Sequence, residues 1–161
     1  MADASEEIAK LGVEMFNIHA SAGEEAMRMV MGRLSKYRNR PLVLAVTALT
    51  SFDNKSFKKI YGGDIETRAG EFAEMSYRCG LDGVVCSTFE SRVIKELTDK
   101  SFLTLCPAIR PFGEDAGDQK RVATIEVAKW ELVDFPVVGR PIYKDSNPAE
   151  KVERILTLIK K

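Results

Sequence analysis

Short apolar runs alternate along this chain with longer stretches whose apolar residues recur at helical spacing. Met15–His19 (MFNIH) reads as a first strand. In the following stretch Met27, Val30, Met31 and Leu34 fall at i, i+3, i+4 and i+7, one face of a helix. Ser21 and Glu24 stand at the spacing of a capping box at its start. Pro41 marks a restart, and Leu42–Val46 is a continuous apolar strand. The Gly62-Gly63 pair punctuates the next loop, and a helix over 64–79 carries Ile65, Ala69, Phe72 and Ala73 on its inner face, with Gly80 as its stop.

The second half repeats the rhythm. A strand over 83–86 is followed by a capping box of Ser87 and Glu90 and a helix lined by Val93, Ile94 and Leu97. A strand over 102–105 precedes a long loop over 106–122. A weak helix over 124–130 then leads to a strand over 135–138. Asn147 as cap and Pro148 at the first helical position open the last helix, with Val152, Ile155, Leu156 and Ile159 facing the core. Ahead of everything, Ala4, Ile8 and Leu11 with Gly12 form a short helix. Five apolar strands, each followed by a helix, predict an α/β fold with a parallel sheet covered on both faces. Residues 1–161 read as one domain, without linker or repeat. Two architectures satisfy the pattern: an open flavodoxin-like doubly wound sheet, or five units of an incomplete (β/α)8 barrel. A closed eight-stranded barrel typically takes about 250 residues, more than the 161 here.

Composition narrows the function. Lysine plus arginine number 24 and aspartate plus glutamate number 24, so there is no basic excess for gripping nucleic acid. The N-terminus lacks a signal-peptide pattern, and no apolar run approaches the roughly 18 residues of a membrane helix. The expectation is a cytoplasmic protein. Its three cysteines, Cys79, Cys86 and Cys106, form no C-x-x-C pair and read as reduced, buried thiols. A single histidine offers no zinc site.

In either architecture the ligand site lies at the strand C-termini. Gly139-Arg140 there can present a backbone N–H and a guanidinium to one phosphate. The long loop carries Gly117-Asp118-Gln119-Lys120-Arg121 and is long enough to fold over a ligand. Each residue also has a plainer reading. Arg140 could pair with Asp134 or Glu131 at the surface, Thr50 and Ser51 could cap a short helical stretch with help from Asp53, and His19 could be structural.

The stretches LGVEMFNIHASAG, LVLAVTALTSFD, GLDGVVCS, AIRPFGEDAGDQKRV and VVGRPIY together resemble the orotidine 5′-phosphate decarboxylase family, over essentially the whole chain. The resemblance implies a TIM-barrel homodimer that converts orotidine 5′-monophosphate to uridine 5′-monophosphate (UMP) and carbon dioxide without a cofactor. It implies substrate-binding roles for Thr50, Arg110, Gln119, Gly139 and Arg140, with no metal. Two positions depart from the family: Ala108 stands where glycine is usual, and Cys106 where a small hydroxylated residue is common. If the glycine serves a positive φ, alanine adds about 1 kcal/mol of strain. The family's catalytic lysine–aspartate array, carried by a D-x-K-x-x-D motif, is not in these 161 residues. The expectation is therefore the C-terminal five βα units of a decarboxylase barrel, truncated, holding the phosphate side of the site and inactive alone. A non-catalytic nucleotide-binding module and a related sugar-acid phosphate decarboxylase are the alternatives.

Overall fold

A computed structural model describes residues 1–160. Five strands form one all-parallel sheet in the order β1-β2-β3-β4-β5: Met15–His19, Leu42–Val46, Gly83–Val85, Leu103–Cys106 and Phe135–Pro136. Each strand pairs with its neighbours in sequence. A doubly wound sheet requires a switch point where the order reverses, so this order excludes the flavodoxin-like alternative and matches an incomplete barrel.

Among the described residues eight helices connect and cover the strands: α1 Ala2–Lys10, α2 Glu24–Leu34, α3 Asn54–Tyr61, α4 Ile65–Arg78, α5 Ser91–Leu97, α6 Ile125–Trp130, α7 Arg140–Tyr143 and α8 Pro148–Lys160. Side chains alternate across each strand. Ile18, Val43, Ala45, Val84, Cys86 and Cys106 face the helices and meet Met27, Val30, Leu34, Ala73 and Ile94 in the main core. On the opposite face one row crosses all five strands, His19–Val46–Val85–Leu105–Phe135. Val46 in that row is buried, but Val85 and Leu105 are half-covered and Phe135 is exposed.

Several local expectations shift. No capping box forms at Ser21. Residues Ala20–Ala22 turn as a 3-10 helix, and Gly23, at φ 87°, is the N-cap of α2. On α1 the buried residues are Ala2 and Ser5, while Leu11 is exposed, because the helix presents its small side to α2. On α5 only Ile94 of the expected apolar trio is buried; Val93 and Leu97 are exposed. On α8 Ile155 is buried and Leu158 packs on its cluster, whereas Leu156 and Ile159 are exposed. The helix is therefore turned from the expected face. Asp53, rather than Thr50 or Ser51, caps α3, its carboxylate accepting from Ser56 N–H at 2.8 Å.

Below the sheet, two aspartates clasp neighbouring strands in the same way. Asp82, just before β3, accepts from Val43 N–H on β2 at 2.8 Å and from both terminal nitrogens of Arg40 at 2.6 and 2.8 Å. Asp134, just before β5, accepts from Thr104 N–H on β4 at 2.8 Å and from Lys95 Nζ at 2.8 Å. Gly83, next to the first aspartate, is required by a close approach: a Cβ there would lie 2.2 Å from the Leu103 carbonyl oxygen on β4.

Candidate functional site

The opposite, C-terminal ends of β2, β4 and β5 meet under the long loop. The loop leaves β4 through Ala108, whose φ of 66° lies in the left-handed region, so the alanine carries the strain a glycine would avoid. Ile109 then pairs as an isolated parallel bridge with Ala123, and Arg110 N–H donates to Ala123 O at 2.8 Å, closing the base of the loop.

Arg110 is almost wholly buried. Its Nε donates to Asp115 O at 2.8 Å and Nη2 to Ala116 O at 2.9 Å, while Nη1 reaches Ile109 O at 3.1 Å. The guanidinium thus spends three of its donors on loop carbonyls, and it also lines the cavity described below. Phe112 lies against the cations of Lys151 and Arg154 on α8, both 4.6 Å from its ring centre, and Glu114 pairs with Lys151 at 2.8 Å. The first half of the loop is therefore seated on α8.

The second half reaches across to β2. Thr50 Oγ1 donates to Gln119 Oε1 at 2.6 Å, and Lys120 N–H donates to Thr50 O at 3.0 Å. Gln119 Nε2 donates to Asp118 Oδ2 at 3.2 Å, and the other Asp118 oxygen pairs with Arg140. The guanidinium holds the Asp118 carboxyl below the usual aspartate value. Arg140 opens α7, directly after Gly139 at its N-cap. Its expected partners are occupied elsewhere, Asp134 with Lys95 and Glu131 with Arg92.

Three of the five expected site residues, Thr50, Gln119 and Arg140, thus form one connected chain through Asp118, with Gly139 beside Arg140. Arg110 stands behind the loop. Gly117 (φ 64°) brings the loop backbone against Arg140: a Cβ there would lie 2.5 Å from Nη1. A cavity of about 270 Å³ opens beside this contact, lined by Arg110, Gly117, Arg140, Lys144 and Lys151 among others. Its rim is of mixed charge, four cations against the three acids Glu114, Asp115 and Asp145.

Two further residues serve the site without having been singled out for it. Arg121 ends the loop, pairs with Glu90 and donates from Nη2 to Ala48 O and Leu49 O, both at 3.3 Å. Glu90 is buried; burial pushes its carboxyl up, opposed by Arg121 and by the Ser87 N–H that it accepts at 2.9 Å. Its capping spacing to Ser87 was readable, but its partner 31 residues on was not. Lower down, Cys86 and Cys106 are buried free thiols with sulfurs 3.7 Å apart. That contact, with burial, raises the Cys86 thiol well above its ordinary value.

Five consecutive parallel βα units with an arginine and a glycine at the end of the last strand, covered by a loop from the preceding one, define part of a βα-barrel with its candidate site at the strand C-termini. Within that class the assignment is specific. Residues 1–155 match the orotidine 5′-phosphate decarboxylase / HUMPS family, and the chain belongs to it. It is 71% identical over 159 residues to the orotidine 5′-phosphate decarboxylase of Sulfurovum sp., covering 99% of this chain and 69% of that one. The Nautilia profundicola decarboxylase is 68% identical over 160 residues, covering 99% and 70%. The chain thus spans about 70% of the length of these curated relatives. The crystal structure of the Lactobacillus acidophilus decarboxylase superposes with a TM-score of 0.81 at 28% identity, over 98% of this chain and 68% of that one. The Methanocaldococcus jannaschii enzyme, at 20% identity, shares the fold with a TM-score of 0.69, over 100% and 70%.

Proposed function

We propose that residues 1–161, as one domain of five βα units, hold the phosphate and pyrimidine of orotidine 5′-monophosphate and of its product UMP for the decarboxylase reaction. The observation that carries this reading is the connected chain Thr50–Gln119–Asp118–Arg140. It spans from the β2 end to the β5 end of the sheet in one hydrogen-bonded run. Arg140 and the Gly139 backbone address the phosphate, Thr50 addresses the base, and Gln119 on the loop bridges the two. Arg110 contributes through the loop it holds as well as through the cavity it lines. Binding energy gathered at a remote phosphate holds the loop shut over the ring, and closure excludes water from a developing carbanion.

The proton and charge chemistry at the ring needs groups that this sequence does not offer at the site. No D-x-K-x-x-D motif occurs in the 161 residues. The chain alone therefore binds UMP without decarboxylating its precursor. It works as a soluble cytoplasmic protein, and as a homodimer in the family's full-length form.

The test is titration of the 161-residue chain with UMP, uridine and a sugar phosphate, beside a decarboxylation assay. UMP is expected to bind more tightly than either of the others. Arg140→Ala should weaken it about tenfold to a hundredfold, the range for losing hydrogen bonds to a charged group. Equal binding of the sugar phosphate would remove the pyrimidine half of the reading. Decarboxylation above background would remove the claim of inactivity.

A further inference from the structure

Arg140 already has an anionic partner, and that partner sits on the loop that covers it. We propose that Asp118 is a built-in competitor for the phosphate at Arg140, exchanging with the ligand and hastening its release. This inference rests on the phosphate reading of Arg140.

Four observations support it. First, one carboxylate engages two of the groups assigned to the ligand: Asp118 Oδ1 meets Arg140, and Oδ2 accepts from Gln119 Nε2 at 3.2 Å. A phosphate placed between those same donors would claim both. Second, the pair is unequal in exposure. The Asp118 side chain is 68% exposed and that of Arg140 29%. The carboxylate can swing into water with little loss, while the guanidinium stays in place. Third, the loop backbone enforces the pairing. Gly117, at φ 64°, lets the chain lie against Nη1 and delivers the next residue onto the guanidinium. Fourth, the three acids nearest to Arg140 in sequence, Asp145, Asp134 and Glu131, have cations of their own in Lys151, Lys95 and Arg92. Asp118 is thus matched to Arg140 by loop geometry rather than by a surplus of nearby charge.

The exchange conserves what matters for binding. With Asp118 on Arg140, Gln119 is held by Thr50 and the loop keeps its closed path. With phosphate on Arg140, Asp118 turns outward and the Thr50–Gln119 contact can persist. A dianion that grips the guanidinium through two oxygens is the stronger partner. It must still displace a carboxylate that is tethered beside it, so the carboxylate refills the site as the phosphate departs. Exposed ion pairs are weak, which sets the size of the effect at about twofold to fivefold.

The experiment compares the full 161-residue chain with Asp118→Ala and Asp118→Asn. The ligands are UMP and uridine, followed by NMR titration for affinity and exchange broadening for dissociation rate. Both variants should bind UMP about twofold to fivefold more tightly, with a matching fall in dissociation rate, and bind uridine as the parent does. Unchanged or weaker UMP binding in both variants would overturn the inference, as would an equal gain for uridine. Arg140→Ala separates the two layers. If it binds UMP as the parent does, or if the parent binds none, the phosphate reading falls and takes the inference with it. If it loses UMP while Asp118→Ala gains nothing, the inference alone falls.

Discussion

Replacing Arg110 by alanine should release the loop while leaving the sheet intact. The guanidinium makes two hydrogen bonds that cross from the base of the loop to its middle, at Asp115 O and Ala116 O. Bonds to a charged donor contribute about 1.5–3 kcal/mol each, so losing two costs at least about 3 kcal/mol of local order. Because 1.4 kcal/mol is about tenfold, the loop-opening equilibrium should shift by roughly a hundredfold. The amides that report it are Gln119 N–H, bonded to Ala116 O at 3.3 Å, and Lys120 N–H, bonded to Thr50 O at 3.0 Å. Their hydrogen-exchange protection should fall by roughly that factor in Arg110→Ala. Core amides of β2 and β3 should stay as in the parent. Arg110→Lys keeps the charge but not the fork, and should recover only part of the protection. Unchanged protection at 119 and 120 would refute the reasoning, since the buried guanidinium would then not be what holds the loop.

Other consequences can be checked separately. Gly83→Ala should destabilise the chain by about 3 kcal/mol or more in urea unfolding, because overpacking alone costs 1–3 and here the obstacle is backbone. An unchanged midpoint would mean that β3 and β4 can separate freely. Glu6 on α1 is held down to about 2 by Lys36 first and Arg33 second. Its folded value lies below the ordinary one, so its contribution is present above about pH 4.5 and lost as pH falls toward 2. Acid titration followed at α1 amides should show that loosening, and Glu6→Gln should abolish the pH dependence there. Glu90→Gln leaves Arg121 without its anion in a largely covered position. It should destabilise by roughly 3 kcal/mol, less the relief of Glu90's own burial. Finally, the inner sheet row and the unpaired edges of β1 and β5 favour self-association. Light scattering should show species larger than a monomer, and a monodisperse monomer would count against this.

Much of this architecture was legible because local signals agreed with the packing. Met15–His19 and Leu42–Val46 run as expected, and α4 starts at the Asp64 cap and stops before Gly80, which takes φ 81°. Where a face depends on what lies outside the element, the sequence was a poorer guide. Leu156 and Ile159 look like core by spacing but are exposed on α8, because Lys151 and Arg154 turn that helix toward Phe112. At the site, the strand end pointed to Arg140 and the family resemblance to Thr50 and Gln119, and the structure joins them. What joins them was hidden. Asp118 reads as one more loop acid until Arg140 meets it from the β5 end, and Arg121 as one more cation until the chain folds back 72 and 73 residues to Leu49 and Ala48 beyond β2.

The two aspartate clasps also divide the molecule by tolerance to change. Asp82 ties β3 to β2 and Asp134 ties β5 to β4, each from the side of the sheet opposite the loops. Strand spacing and register are thus secured at one rim, and nothing in either clasp touches residues 106–122. An engineer could replace or lengthen that loop and leave both clasps whole. The converse exchange, trading either aspartate for a neutral residue, would loosen two strands without altering a single side chain of the Thr50–Arg140 chain.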